Sequence, residues 1–254
     1  MDISVRRLAQ VIINWSEEHP RSMPWKQTAD PYKIWISEII LQQTQVAQGT
    51  AYYRAFLRRF PTVKHLARAS EDEVLSAWQG LGYNSRARHL HTAARTIAQD
   101  LKGRFPKNYD QIRALKGVGE YTAAAIASFA FGLPTPVLDT NVIRVLCRVR
   151  GITDDPSKRG TRESLYAILN TMIRDIDPGQ FNQAMMNFGA MQCKARNPDC
   201  ENCVLAKSCV AFREGLVEVL PVRAKRVQRR LRFFHYFVIH DNHSVVIRKR
   251  TTKD

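Results

Sequence analysis

Leu115-Lys116-Gly117-Val118-Gly119 lies between a short helical stretch, Tyr109–Leu115, and a longer one starting near Tyr121, and the rest of the chain is read outward from this turn. Two glycines let backbone N–H groups turn outward and approach an anion closely, while the next helix adds unpaired donors and a favourable dipole. A helix-hairpin-helix of this kind grips a phosphate without reading bases. The third glycine and the preceding strand of a dinucleotide-binding turn are missing. Gly-x-Gly alone also fits an ordinary tight connection between helices, so its meaning rests on its flanks.

Downstream, Gly132-Leu-Pro-Thr-Pro-Val-Leu-Asp139 leads into a helix at Asn141, and by itself such an aspartate reads as an N-cap. Farther on, Cys193-x6-Cys200-x2-Cys203-x5-Cys209 packs four of the five cysteines into 17 residues, leaving Cys147 as a core thiol. Thiols stay reduced in a cytosolic chain, so the cluster reads as a metal site and not a disulfide framework. Four thiolates fit tetrahedral zinc or an iron–sulfur cluster. Zinc sites mostly use two Cys-x-x-Cys knuckles, whereas here one pair is flanked by two isolated cysteines, which favours a cubane. Lys194, Arg196, Lys207 and Arg213 place positive charge around the loop, suited to DNA phosphates.

Upstream, Trp35-Ile-Ser-Glu38-Ile-Ile-Leu-Gln42-Gln43-Thr44-Gln45 carries one acid among large apolar residues. Burial there favours the protonated carboxyl, and Gln42, four residues on, shares its helical face. The alternative for Glu38 is an exposed helix position. Other apolar periodicities predict helices over Val5–Trp15, Ile34–Val46, Ala51–Phe60, Glu71–Leu81, Arg86–Leu101, Tyr121–Phe131, Asn141–Arg150, Thr161–Ile173 and Phe181–Gln192. No repeat of 20–50 residues is present.

Lys and Arg total 39 against 23 Asp and Glu, a net charge of +16 that calls for a polyanionic partner. No stretch reaches the roughly 18 apolar residues of a membrane span, and Met1–Trp15 lacks a signal-peptide pattern, so a cytoplasmic location without membrane partners is expected. After the charge run Arg223-Ala-Lys-Arg-Val-Gln-Arg-Arg, Phe233–Ile239 and Ser244–Arg248 read as a β-hairpin turning near Asp241-Asn242. Two strands alone are barely stable, so 223–254 reads as a linker and the truncated start of a C-terminal β-containing domain, the alternative being a hairpin that simply packs on the helical body.

The cysteine spacing, following a helix-hairpin-helix and then an Asp, resembles the endonuclease III superfamily, and Glu38–Gln45 resembles the Glu-x-x-Leu-Gln-Gln-Thr-Gln stretch of MutY-type adenine DNA glycosylases. The resemblance covers about Leu8–Pro221. It implies an all-α, two-lobed fold: a six-helix barrel over 27–134 and a cluster lobe from 1–26 and 135–222, with the short C-terminal β-hairpin appended. It implies a [4Fe-4S] cluster on Cys193, Cys200, Cys203 and Cys209, with Gly117, Val118 and Gly119 on a phosphate.

It further implies that Glu38 protonates adenine and that Asp139, oriented by Asn141, stabilises the developing cation. Gln42 or Gln43 would probe the gap in the duplex, Tyr83 would insert beside an oxidised guanine, and Gln183 would lie near the adenine. Tyr121 falls where bifunctional relatives carry a Schiff-base lysine; tyrosine forms no imine, so a monofunctional enzyme follows. A pocket carboxylate is implied near Thr161–Leu165, where Glu163 is the acid. Thr140 and Asn84 depart from the family's usual glycine and aromatic, and the family's full 8-oxoguanine recognition domain is not represented.

The expected function is removal of adenine mispaired with 8-oxoguanine or guanine from double-stranded DNA, in base excision repair. The expected protein is a monomer of bacterial type, associated with the nucleoid. The competing readings are a thymine or uracil mismatch glycosylase of the same fold, which the Gln42-Gln43-Thr44 segment argues against, and a non-catalytic cluster-containing DNA-binding module.

Overall fold

The computed structural model describes residues 3–222, Leu231, Phe233, His235, 237–240 and 243–246. The chain divides into two compact units, Met1–Arg223 and Ala224–Asp254. In the first, the described residues form α-helices joined by short turns: α1 Val5–Glu18, α2 Pro31–Leu41, α3 Val46–Arg59, α4 Val63–Arg68, α5 Glu71–Trp78, α6 Ser85–Gln99, α7 Tyr109–Arg113, α8 Glu120–Phe131, α9 Thr140–Arg150, α10 Arg159–Met172, α11 Pro178–Met191 and α12 Val210–Arg213. Among them, no helix is long and apolar enough to cross a membrane.

Local chemistry sets the helix starts. Asp30 and Pro31 open α2, a Ser70–Glu73 capping box opens α5, and the Asp139 side chain accepts from Val142 N–H at the start of α9. Two apolar cores form. One gathers Trp25, Trp35, Phe56, Trp78, Leu90 and Ile97; the other gathers Leu8, Ile12, Leu146, Leu169, Phe181 and Phe188. Between them runs α8, in which every residue from Thr122 to Ser128 is buried. Its alanines let α2, α7 and α11 approach it closely, which no stripe-sided helix would allow.

Two expectations fail here. The helix expected over Ile34–Val46 stops at Leu41, Gln43 takes a left-handed conformation (φ 60°), and α3 begins at Val46. The stop is imposed by tertiary contact: the Arg86 guanidinium donates to the carbonyls of Ile39 (2.8 Å), Ile40 (3.4 Å) and Gln42 (2.6 Å), groups that a helix end leaves without partners. The C-terminal β-hairpin is also not formed. Among the described residues there is an isolated antiparallel bridge between His240 and Val245, with Val246 N–H donating to the Ile239 carbonyl at 2.9 Å. Phe233, Phe237 and Ile239 are exposed, and two short segments without a buried face do not hold a sheet by themselves. The linker 223–230 and the turn at Asp241-Asn242 lie outside the described residues.

Candidate active site

Glu38 belongs to a helix that is apolar on almost every side: Ile34, Trp35, Ile36, Ile39 and Ile40 are buried with it, and Glu38 itself is 8% exposed. Removing a carboxylate from water is costly, so burial pushes its pKa up to about 7. The charge of Asp139 pushes the same way, while a hydrogen bond from Tyr121 opposes it. Burial and these two acids in turn push the Tyr121 phenol far up, so it stays a neutral donor. At neutral pH the site therefore holds a carboxyl divided between its two protonation states.

Asp139 is held by both oxygens. Val142 N–H donates to Oδ1 and Asn141 Nδ2 to Oδ2, each at 2.7 Å. Arg144 fixes Asn141 in turn, donating to its Oδ1 (2.8 Å) and to the carbonyls of Gly189 (2.5 Å) and Cys193 (2.7 Å). Gly189 lets α11 meet α9 at this point, because a Cβ there would sit 2.7 Å from Asn141 Cβ and 2.9 Å from its carbonyl oxygen. Gly189→Ala should therefore cost about 1–3 kcal/mol of overpacking. Thermal melts should show Tm lowered by several degrees with excision impaired; an unchanged Tm would mean that the helices separate freely.

Glu38, Gln42, Gln43, Tyr121, Asp139, Asn141 and Gln183 all line one cavity of about 800 Å³. Gln42 reaches it from just beyond the end of α2 instead of along the helical face, with its amide donating to Thr122 Oγ1 at 3.4 Å. Tyr83 stands apart, 67% exposed on the turn before α6 with φ 47°. Gly117 (φ 78°) and Gly119 are exposed at the hairpin, Val118 is tucked inward, and Gly119 caps α8. Glu120, in the first turn of that helix, is drawn aside by Arg113 (3.5 Å) and Arg162 (4.0 Å).

Glu163 does not reach the cavity: it pairs on the surface with Arg159 at 2.7 Å, and Arg162 lines the cavity instead. Sequence reasoning also missed Arg21, Lys26 and Asn187. Burial, with Arg21 nearby, lowers the Lys26 pKa to about 8, and its Nζ donates to Asn187 Oδ1 at 3.0 Å. Gln183 Nε2 donates to the same oxygen at 3.2 Å, while Asn187 Nδ2 donates to Ser16 Oγ. This chain of bonds leaves the Gln183 carbonyl as that side chain's free acceptor.

Cys193, Cys200, Cys203 and Cys209 line one pocket, walled by Arg148, Phe188, Leu205 and Phe212. A zinc tetrahedron with bonds near 2.3 Å brings its sulfurs to roughly 3.8 Å of each other. Among the described residues no three such side chains converge closely enough to hold one metal ion. Four thiols around one pocket offer only soft sulfur donors, the ligand set of zinc and iron–sulfur sites alike. Arg148, almost fully buried, donates to the Lys194 carbonyl (2.6 Å) and lies 3.6 Å from Cys193 Sγ, so a cation already faces the sulfurs. Cys203→Ala should lower iron content and visible absorbance together with Tm, since such groups contribute directly to folding; full iron retention would remove Cys203 from the ligand set.

A turn that presents backbone donors, a capped aspartate following it and a four-cysteine loop define a class of DNA repair protein. The profile of HhH-GPD superfamily base excision DNA repair proteins matches residues 36–170, and the iron-sulfur binding domain of endonuclease III matches 193–209. The chain belongs to the HhH-GPD superfamily. Its relatives there are MutY-type: the adenine DNA glycosylase of Homo sapiens is 41% identical over 209 residues, 79% of this chain and 38% of that protein. That of Buchnera aphidicola subsp. Acyrthosiphon pisum is 33% identical over 247 residues, 97% of this chain and 71% of that protein. The chain spans 38–44% of the length of the mammalian relatives.

Two solved structures share the fold. A thermostable thymine-DNA glycosylase matches with a TM-score of 0.76 and 29% identity, covering 83% of this chain and 97% of that one. An endonuclease III trapped on DNA matches with a TM-score of 0.72 and 21% identity, covering 84% and 99%. The group held by the four cysteines is a [4Fe-4S] cluster, as the matched iron-sulfur domain and the pocket's chemistry agree.

Proposed function

We infer that this chain is a monofunctional DNA glycosylase that hydrolyses the bond between adenine and deoxyribose where adenine is mispaired with 8-oxoguanine or guanine. The observation that carries this reading is the pairing, in one cavity, of a buried carboxyl whose protonated form is favoured with a carboxylate fixed by two donors.

The chemistry runs as follows. The extruded adenine enters the cavity, and the Gln183 carbonyl accepts from its exocyclic amine. Glu38 delivers a proton to a ring nitrogen. The C1′–N9 bond breaks with its electron pair passing to the base, and the positive charge left on the sugar faces Asp139. Water then adds at C1′, its proton leaving to the Glu38 carboxylate or to solvent. Tyr121 keeps Glu38 oriented and offers no amine, so no imine forms. The [4Fe-4S] cluster, when bound by the four cysteines, crosslinks the loop after α11 and so supports folding.

The two apolar cores are read as two lobes, the six-helix barrel over about 27–134 and the cluster lobe from 1–26 and 135–222. Double-stranded DNA lies across the cleft between them, with a phosphate on Gly117-Val118-Gly119 and one monomer acting per lesion. The mispaired base, the 8-oxoguanine preference and a nucleoid location belong to the same proposal. The likeness to a thymine-DNA glycosylase favours a second reading, thymine excision opposite guanine. Duplexes carrying adenine opposite 8-oxoguanine and thymine opposite guanine separate the two. Strand breaks should appear with the first duplex and only after alkali; thymine release alone, or breaks without alkali, would overturn the assignment.

A further inference from the structure

The Arg86 guanidinium joins two turns that are distant in sequence. Through Nη1 it holds the carbonyls of Ile39 (2.8 Å), Ile40 (3.4 Å) and Gln42 (2.6 Å), the frayed end of α2. Through Nη2 it holds those of Leu81 (3.1 Å) and Gly82 (3.3 Å), the turn leading into Tyr83. Its plane lies near the rings of Trp78 (5.3 Å) and Tyr83 (5.8 Å). Trp78 Nε1 donates to the Gly82 carbonyl at 3.1 Å, closing the second turn. Arg86 also shares the lining of a small cavity with Gln42, Lys116 and Gly117, so the phosphate-facing hairpin abuts the same junction.

Each turn ends in an exposed side chain on left-handed backbone: Gln43 at φ 60° and Tyr83 at φ 47°. Non-glycine residues persist there only where their surroundings over-determine them. One guanidinium supplies the shared anchor for both. Only a planar fork with separated donors can hold two groups of carbonyls at once; a lysine ammonium is a single point.

We propose that Arg86 is a positioning residue that sets the Gln43 and Tyr83 turns at a fixed separation, so that their two tips enter the duplex together and hold the target nucleotide out of the stack. This deepens the glycosylase reading and rests on it. The clasp contacts neither the base nor the sugar, and its contribution lies in extrusion and not in bond cleavage. Its effect therefore scales with the cost of extrusion, which is least for a base already unstacked.

The test compares Arg86→Lys with the wild type and with Arg88→Lys, a surface cation control. Single-turnover adenine release should fall about 10- to 100-fold on a duplex with one adenine–guanine mismatch. The deficit should shrink to less than about threefold when the same adenine sits in a run of mismatches, where little unstacking remains to be done. Fluorescence of 2-aminopurine in place of the adenine should rise less on binding than with the wild type. Tyr83→Ala, at an exposed tip, should add little to Arg86→Lys, because the two act as a unit.

Should Arg86→Lys fail to fold, Trp78→Phe removes one ring and one turn-closing bond while keeping the guanidinium, and should give a smaller loss of the same pattern. Equal deficits on both substrates, or an unchanged fluorescence rise, would overturn the clasp. Fluorescence reports extrusion alone. A wild-type chain that extrudes 2-aminopurine in an Arg86-dependent way but releases no base would sink the glycosylase reading and support the clasp.

Discussion

Glu38→Gln is expected to lower adenine release by about 100- to 10,000-fold, the range spanned by removal of a positioned general acid. Glutamine keeps the size and hydrogen-bonding capacity of the protonated carboxyl, so binding of a mismatched duplex should be retained. The wild-type rate should fall as pH rises through about 7, where the carboxyl gives up its proton, and the variant's residual rate should lack that limb. A wild-type rate that stays flat from pH 6 to 9 would exclude Glu38 as the proton donor.

The same displaced pKa makes a stability prediction of definite sign. At low pH the carboxyl is neutral in the folded and the unfolded chain, and burial carries no ionic penalty. As pH rises above 4.5, the ordinary value for a glutamate in water, the unfolded chain ionises first, so the folded state loses ground until the folded carboxyl ionises near 7. The full loss is roughly 3 kcal/mol, from 1.36 kcal/mol per unit. Glu38→Gln should therefore melt above the wild type at pH 8, with the gap closing as pH falls from 7 towards 4.5. A gap that is independent of pH would mean that the buried charge is relieved by some other group.

What the sequence shows of this protein is what is locally encoded. The spacing of Cys193, Cys200, Cys203 and Cys209, the Gly117-Val118-Gly119 turn and the capping of α9 by Asp139 each depend on neighbours a few residues away. Glu38 was legible in part: seven flanking residues, apolar but for Ser37, allow its burial, but an exposed position stayed open until packing closed it. The end of α2 was not, because Gln42-Gln43-Thr44-Gln45 contains no Gly or Pro to mark it and the contact that holds the stop comes from Arg86, more than 40 residues on. Glu163 and Arg162 differ by one position, about 100° around α10, and only the packing of Leu165 and Leu169 into the core fixes which of them turns inward. Lys26 and Asn187 meet across 161 positions with no periodic signal on either side. Phe237, Val238, Ile239, Val245 and Val246 are strand-forming residue types, but burial of one face is what makes a strand, and these side chains are exposed.

Asp139→Asn should separate the aspartate's two tasks. As an N-cap, asparagine is as good as aspartate, so α9 should keep its Val142 bond and Tm should move by no more than about 1 kcal/mol equivalent. As a charge facing the cationic sugar it has no substitute: removing one preorganised electrostatic partner costs on the order of 100- to 1,000-fold. The variant should thus bind mismatched duplex at least as well as the wild type, since one negative charge is removed from a cavity that receives part of a polyanion, yet release adenine far more slowly. A second consequence follows from the coupling of the two acids. Asp139 helps keep Glu38 protonated, so its loss should move the alkaline limb of the residual rate to lower pH. If Asp139→Asn instead lowered Tm and DNA binding together and left the pH limb in place, the residue would be a helix cap alone and the cavity would have no partner for the developing cation.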